Sequence, residues 1–343
     1  MDKNNYMAVF VTLVVCLLVL FSLFSVESRA IDSSKPAGQY NIKMVLKAKS
    51  NTSDFWKTAA QGALVAAKEY GVNCDVTGPD QEGDVDKQIS LLEEAVRQKP
   101  DAVILAAADY EKLAPVCKKA IDEGIRMIMI DSDVDLKQTS GLVATNNVDV
   151  GRKLAQEVDK LIGPNEKFGV VSFVKSSSTA LDREKGLKEN TVNARDRIVQ
   201  VDYCNGSVQL ARDQTVKMLR AHPEIRCMVG LNEYSALGVA YAVRDLHLEG
   251  KVKIVNCDSS VELIQRMEEG EIQAFVIQNP FNMGYISVKN AVSIIQKKDI
   301  PTFYDTKSVV VTRKTLYTTE NQKLLFPFTD ADQANSSLRG ASE

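Results

Sequence analysis

Histidine is the rarest of the chemically versatile residues in this chain. His222 and His247 are the only two among 343 residues, and each falls near the end of a predicted helix. A catalytic or metal site built on histidine needs several ligands that converge in space. The sequence therefore argues against such a site, and we predict no metal ligands and no catalytic residues.

The short motifs of nucleotide, calcium and hydrolase sites are also missing. No G-x-G-x-x-G follows a strand, and neither G-x-x-x-x-G-K-[ST] nor G-x-S-x-G occurs. Asp131, Asp133 and Asp135 begin like a calcium loop, but Leu136 replaces the required glycine and Leu142 holds the twelfth position. We therefore expect no cofactor. Acidic residues are plentiful, so a glycosidase remains an alternative, although no motif selects a catalytic pair.

Charge and cysteine usage exclude two further classes. The net charge is −3 with a pI near 5.7, which offers no basic surface for nucleic acid. The six cysteines form no C-x-x-C pair, and Cys16 lies in an apolar stretch, which leaves an odd number. We predict neither a disulfide framework nor a nucleic-acid partner.

The longest apolar run is at the N-terminus. Residues 7–26 carry no charge, and twenty such residues are enough to span a bilayer. Residues 1–30 are therefore a signal anchor or a signal peptide cleaved after Ser28-Arg29-Ala30, and the length favours an anchor in the cytoplasmic membrane. Val14 and Val15 precede Cys16 inside the run, a context that argues against lipidation. We predict an extracytoplasmic protein in which residues 31–40 are a linker.

From residue 41 onward, strand-like runs alternate regularly with helical patterns. Residues 54–70, for example, read as a helix that ends at Gly71. Alternation of this kind predicts parallel sheets covered by helices on both faces. The strands are too many for one open sheet, so we predict two doubly wound α/β lobes. Residues 328–343 are polar without periodicity and are predicted to be a disordered tail.

Short polar signatures end the apolar strand runs. In chain order they are SDFW, IDSD, DREKG, LNE, VNCD and VIQNP. The carboxyl ends of parallel strands converge on one crevice, where ligands of α/β proteins bind. These signatures therefore predict a shared binding site for a small ligand.

In this order and spacing, the signatures resemble those of the ribose/galactose-type periplasmic sugar-binding proteins, whose type I fold is shared with the effector domains of lac-repressor-type regulators. The resemblance covers residues 41–312, and its most specific marks are SDFWKTAAQGA, RAHPEIRCMVGLNEYSALG, and KIVNCDSS with AFVIQNP. It implies two lobes joined by a three-segment hinge. The N-terminal lobe would comprise residues 41–145 and 280–305, and the C-terminal lobe residues 146–278 and 306–327. No helix-turn-helix precedes residue 41, which argues against a repressor.

The resemblance also implies a set of ligand-binding residues. They are Phe55, Trp56, Asp131, Arg183, Asn232, Asp258 and Gln278. Aromatic rings can cover the apolar faces of a sugar, and the polar groups can bind its hydroxyls. Competing roles stay open: core packing for the aromatic pair, helix capping for Asn232 and Asp258, and a surface ion pair with Glu184 for Arg183.

Two positions depart from the ribose-binding pattern. Ser132 stands where those proteins have an arginine, and Asn205-Gly206 stands where an aromatic residue is frequent. The second aromatic wall is then either absent or supplied by Tyr203 or Tyr234. A pentose and a hexose both remain open as the ligand.

The function implied by the resemblance is closure of two lobes on a monosaccharide. We expect the solute receptor of an ABC sugar importer, with a membrane permease as partner. The alternative is a membrane-anchored sensing subunit that presents the sugar to a histidine kinase. An uncleaved anchor over residues 7–26 without a lipidated cysteine favours the sensing subunit, because it would keep the protein beside a membrane partner.

Overall fold

The computed structural model describes residues 40–326. The predicted leader, nearly all of the linker and the predicted tail lie outside the described residues. Within residues 40–326, no helix is long and apolar enough to cross a membrane. The five cysteines of this part of the chain are all free.

Strands and helices alternate through the described chain. The first elements are β1 (Asn41–Val45), α1 (Asp54–Tyr70), β2 (Asn73–Thr77), α2 (Val85–Arg97), β3 (Ala102–Leu105), α3 (Ala114–Asp122), β4 (Arg126–Ile130) and β5 (Gly141–Ala144). The middle elements are α4 (Asn147–Leu161), β6 (Lys167–Ser172), α5 (Ser178–Asn190), α6 (Ala194–Arg197), β7 (Ile198–Tyr203), α7 (Val208–Ala221), β8 (Ile225–Gly230), α8 (Glu233–Asp245), β9 (Lys253–Cys257), α9 (Val261–Glu268) and β10 (Ala274–Ile277). The last are α10 (Pro280–Ile295), β11 (Phe303–Asp305), β12 (Val309–Thr312) and α11 (Thr319–Leu325).

The strands form two six-stranded sheets with matching topology. The first has the order β11-β5-β4-β3-β1-β2 and the second β12-β10-β9-β8-β6-β7. All pairs are parallel except β10 with β12. The predicted pair of parallel-sheet α/β lobes is thereby confirmed.

Three segments carry the chain from one lobe to the other. They are residues 145–146 before α4, 278–279 before α10, and 306–308 between β11 and β12. The exact division into residues 41–145 with 280–305 and 146–278 with 306–327 remains our proposal.

Alternation along the strands builds the core of the first lobe. Met44 and Ile104 pack in one apolar cluster, while their neighbours Val45 and Leu105 pack in another on the opposite face. Both faces of a parallel sheet are covered by helices, so consecutive residues of its central strands tend to be apolar. Strand β3 is apolar and buried throughout, whereas the edge strand β2 carries polar residues along its length.

Helix α1 is defined by its own sequence. The Ser53 side chain caps its first turn by accepting a hydrogen bond from the Trp56 N–H, and Asp54 supplies a negative charge there. Gly71 ends the helix with φ 62°, a left-handed conformation that costs glycine little. These signals set the residues at which α1 begins and ends.

Glycines allow helices to pack closely in both lobes. A Cβ on Gly284 of α10 would lie 1.9 Å from the Ala59 carbonyl oxygen of α1. In the second lobe, a Cβ on Gly186 of α5 would lie 2.0 Å from the Val148 carbonyl oxygen of α4. No side chain fits at either place, which explains why glycine occurs in the signature DREKG.

Candidate functional site

A cavity between the lobes brings all seven predicted site residues together. The free space inside it is about 20 Å³ in this structure, so the side chains that line it lie close together. Seven further residues line it: Lys47, Ser53, Glu82, Phe173, Thr179, Glu233 and Tyr234.

Two buried aspartates occupy equivalent positions in the two lobes. Asp131 follows β4 and Asp258 follows β9, and their backbone N–H groups donate to the neighbouring strands at 2.9 and 3.0 Å. Both have left-handed backbones, with φ of 62° and 69°. This conformation is uncommon for residues other than glycine, and such strain concentrates at functional sites.

Lys47 pairs with the first of these carboxylates. Its Nζ lies 2.8 Å from Asp131 Oδ2 and also donates to the hydroxyls of Ser177 and Thr179, both at 3.0 Å. The lysine belongs to the first lobe and the two hydroxyls to the second. Only 1% of Lys47 is exposed, so its charge is neutralised inside the cleft.

Arg183 connects several residues of the second lobe that lie at or near the cavity. Its Nε donates to Asn147 Oδ1 at 2.8 Å, and its Nη1 donates to the Leu231 carbonyl at 2.7 Å. Nη1 also lies 3.7 Å from Asp258 Oδ2. The alternative of a surface ion pair with Glu184 is wrong, because Arg183 is buried and Glu184 pairs with Lys188 instead.

The capping alternative applies to Asn232 but not to Asp258. The Asn232 side chain caps α8 by accepting a hydrogen bond from the Ser235 N–H. The Ser235 hydroxyl oxygen in turn accepts a hydrogen bond from the Asn232 N–H. Helix α9 is capped by Ser260. Asp258 instead accepts a 2.7 Å hydrogen bond from Gln278 Nε2.

One side-chain atom of Gln278 lacks a hydrogen-bond partner among the described residues. Its Oε1 is buried and has no hydrogen-bond partner among residues 40–326. Buried polar groups nearly always have partners, because an unpaired acceptor costs about 1–3 kcal/mol. A cavity-lining acceptor in this state is suited to receive a ligand hydroxyl.

Aromatic residues line the cavity from both lobes, and Trp56 also belongs to the core. Trp56 is 2% exposed, packs in the core of the first lobe and meets Phe55 edge-to-face, with centroids 4.9 Å apart. Phe173 lines the cavity from the second lobe, with the Arg183 guanidinium 5.5 Å from its centroid. Tyr234 also lines the cavity. An aromatic wall is therefore present on the second lobe.

Tyr203 is not part of that wall. Its hydroxyl donates to Glu184 at 3.1 Å, outside the set of cavity-lining residues. Asn205 and Gly206 pack directly against Glu82 and Gly83 of the first lobe. At this departure from the ribose-binding pattern, a contact between loops replaces the aromatic side chain.

The lobes also contact each other directly. The Glu233 carboxylate, at the start of α8, accepts hydrogen bonds from the N–H groups of Asp54 and Phe55, both at 3.1 Å. The hydroxyls of Thr52 and Tyr234 are 2.9 Å apart. Burial raises the pKa of Glu233 to about 8, against the lowering effect of the two N–H donors. These contacts describe a closed cleft.

Several cavity residues were not predicted from the sequence, and they differ in whether a local sequence signal marks them. Lys47 follows β1 closely, so the strand-end rule could have found it. Glu233 belongs to the quoted signature LNE but was not selected. Phe173 continues an apolar strand run, and Glu82 lies in a loop without periodicity. Neither of these last two carries a local signal of its position.

The described residues contain no group of three or more His, Cys, Asp or Glu side chains placed to hold a metal ion. The cavity instead combines carboxylates, cations, amides and aromatic faces. Such a lining can bind a neutral polyhydroxylated ring through hydrogen bonds and ring stacking.

Comparison with known proteins points to one family. The model of the periplasmic binding protein domain matches residues 42–299. The D-allose-binding periplasmic protein of Escherichia coli K12 is 27% identical over 325 residues, which cover 90% of this chain and 100% of that protein.

Two crystal structures are similar as well. One, described as a sugar transporter from Clostridium phytofermentans, is 40% identical with a TM-score of 0.76, covering 80% of this chain and 99% of that one. The other is an ABC transporter solute-binding protein from Agrobacterium vitis with bound D-fucose. It is 27% identical with a TM-score of 0.80, covering 83% of this chain and 100% of that one.

Proposed function

The chain belongs to the periplasmic binding protein domain family, and on this premise we propose that it is an extracytoplasmic receptor for a monosaccharide. The sugar enters between the lobes, and the lobes close over it. The receptor then presents the sugar to the permease of an ABC importer. The relatives named for D-allose binding and for bound D-fucose support this assignment.

The observation that carries the proposal is the lining of the closed cavity. Asp131 and Asp258 provide carboxylate acceptors from opposite lobes, and Gln278 adds an unpaired carbonyl oxygen. Phe55 and Phe173 add aromatic surface from the two lobes. A ligand that touches both lobes favours the closed state, because it makes all its contacts only there.

The seven residues selected from the sequence are our proposed ligand contacts. Asp131, Asp258 and Gln278 would accept hydrogen bonds from the hydroxyls of the sugar. Arg183 and Asn232 would contact the ring substituents and hold the neighbouring polar groups of the second lobe in place. Phe55 would cover one face of the sugar. Trp56 would support Phe55 from the core, which reconciles its packing role with its place at the cavity.

The test is a thermal-shift screen of the full chain with aldopentoses and aldohexoses, followed by calorimetry. We expect one or a few sugars to raise the melting temperature, since a ligand that binds only the native state stabilises it. Asp258→Asn should weaken binding of that sugar about tenfold or more, because a hydrogen bond to a charged group contributes roughly 1.5–3 kcal/mol. Failure of every sugar to bind, or turnover of a glycoside, would reject the proposal.

The N-terminal sequence favours an alternative membrane partner, a sensor kinase in place of the importer permease. Residues 7–26 are long enough for a membrane anchor, and an anchored receptor would stay beside a membrane partner such as a sensor kinase. Neighbouring genes for an ATPase and a permease support import, whereas genes for a kinase and a response regulator support sensing. Membrane fractionation of the full chain tests the anchor itself.

A further inference from the structure

Glu82 is a buried acid of the cavity that forms no salt bridge with any residue in the described part of the chain. It lies in the loop between β2 and α2, and 4% of the residue is exposed. Among residues 40–326, no Lys, Arg or His nitrogen lies within 4.0 Å of its carboxylate. Asp131 and Asp258, by contrast, have Lys47 at 2.8 Å and Arg183 at 3.7 Å.

The two oxygens of Glu82 are unequally satisfied. Oε1 accepts a 2.7 Å hydrogen bond from Trp56 Nε1, whereas Oε2 accepts only a 3.4 Å contact from Asn232 Nδ2. Burial raises the pKa of Glu82, and Lys47 and Trp56 lower it. A buried carboxylate oxygen with one long contact has room for a further donor.

Packing holds Glu82 in this position. Gly206 of the second lobe has φ 73°, and a Cβ there would lie 2.9 Å from the Glu82 Cβ. A Cβ on Gly83 would lie 2.8 Å from the Asn205 carbonyl oxygen. The loop that carries Glu82 is therefore packed tightly against the second lobe, and the hydrogen bond from Trp56 fixes the position of the Glu82 side chain. Glu82 cannot turn out to solvent while the cleft is closed.

We infer that Glu82 determines ligand specificity: its Oε2 accepts a hydrogen bond from one hydroxyl of the bound sugar. This inference rests on the proposed function. The site then requires a donor at that ring position, which a hydroxyl or an amine supplies and a deoxy carbon does not. A sugar acid is disfavoured, because a second anion would meet Glu82 while Lys47 and Arg183 are already engaged by Asp131 and Asp258.

The test measures which hydroxyl each variant recognises. The tightest-binding neutral sugar of the screen is compared with its monodeoxy and aminodeoxy analogues by calorimetry, on the full chain and on Glu82→Gln and Glu82→Ala. Asp80→Ala is the matched control, since Asp80 lies in the same loop with its side chain 83% exposed. Thermal unfolding of each variant shows whether it is folded.

We expect the unmodified chain to bind one deoxy analogue about 10- to 150-fold more weakly than the parent sugar. The aminodeoxy analogue at the same position should keep most of the affinity. In Glu82→Ala the deoxy penalty should fall to a fewfold at that position alone, and Glu82→Gln should lose its tolerance for the amine. Asp80→Ala should behave like the unmodified chain.

Sugar binding with the same deoxy penalties in all variants would overturn this inference and leave the proposed function standing. Equal weakening toward every analogue would do the same, since it would show only a structural role. Absence of any sugar binding would instead overturn the proposed function, and the inference with it.

Discussion

Glu233 connects the lobes without any ligand, so its replacement should shift the balance between the open and closed states. Its two carboxylate oxygens accept from the Asp54 and Phe55 N–H groups in the first turn of α1. These N–H groups have no partner within their own helix, and they carry the positive end of its dipole. Because α1 and α8 belong to different lobes, the hydrogen bonds exist only in the closed state.

The size of the effect follows from this geometry. Glu233→Gln keeps the shape but turns an amide N–H₂ toward one of the two backbone N–H groups. A buried donor without an acceptor costs about 1–3 kcal/mol, which corresponds to about 5- to 150-fold in the closing equilibrium. When the closed state is a minority in the free protein, the dissociation constant of the sugar rises by the same factor. Glu233→Ala removes both hydrogen bonds and should weaken binding further.

Calorimetry measures the affinity, and small-angle scattering of the free protein measures the closed fraction. Both measurements are made at about pH 4, where Glu233 is protonated in both states and closure takes up no proton. The matched control is Glu224→Gln, since Glu224 is an acid of the second lobe that pairs with His222 rather than with the first lobe. We expect both Glu233 variants to be more open and to bind the sugar more weakly than the unmodified chain, with the larger effect in Glu233→Ala. Unchanged affinity and scattering in both variants would refute the role of these hydrogen bonds in closure.

Two further outcomes follow. Burial raises the pKa of Glu233 to about 8, whereas an exposed glutamate titrates near 4.5, so closure takes up a proton between these values. Sugar affinity should therefore fall as pH rises from about 4.5 to 8, and Glu233→Gln should flatten the calorimetric pH profile; a profile independent of pH would contradict this. Gly186→Ala places a Cβ 2.0 Å from the Val148 carbonyl oxygen and should cost about 1–3 kcal/mol in urea unfolding, with weaker sugar binding because Arg183 lies on the same helix. Gly163→Ala is its control, since the nearest atom to that Cβ would be a flexible side chain at 3.5 Å; equal stability of the two variants would contradict the packing argument.

Departures from the family pattern were easier to locate than to interpret from the sequence. The pair Asn205-Gly206 showed that an aromatic residue was missing, but not what takes its place. The structure shows the loop of Glu82 and Gly83 packed against it, with Phe173 and Tyr234 lining the cavity elsewhere. Which loop fills a gap depends on contacts between distant parts of the chain.

Local patterns were enough to establish the α/β class and the candidate strand-end residues. Apolar runs, caps such as Ser53 and stops such as Gly71 act over a few residues, so they can be recognised without the fold. The strand-end rule then pointed to the signatures IDSD and VNCD, because parallel strands deliver their carboxyl ends to a common edge, and the family resemblance picked out Asp131 and Asp258 within them. Both line the cavity of the structure.

Tertiary structure alone decided which partners these residues meet. Arg183 binds Asn147 and the Leu231 carbonyl rather than its neighbour Glu184, and Lys47 reaches hydroxyls of the other lobe. Glu82 became a cavity residue only because the second lobe packs against its loop. Sequence patterns record local periodicity and the ends of elements, whereas burial and pairing across the cleft arise from long-range packing of two lobes that are far apart along the chain.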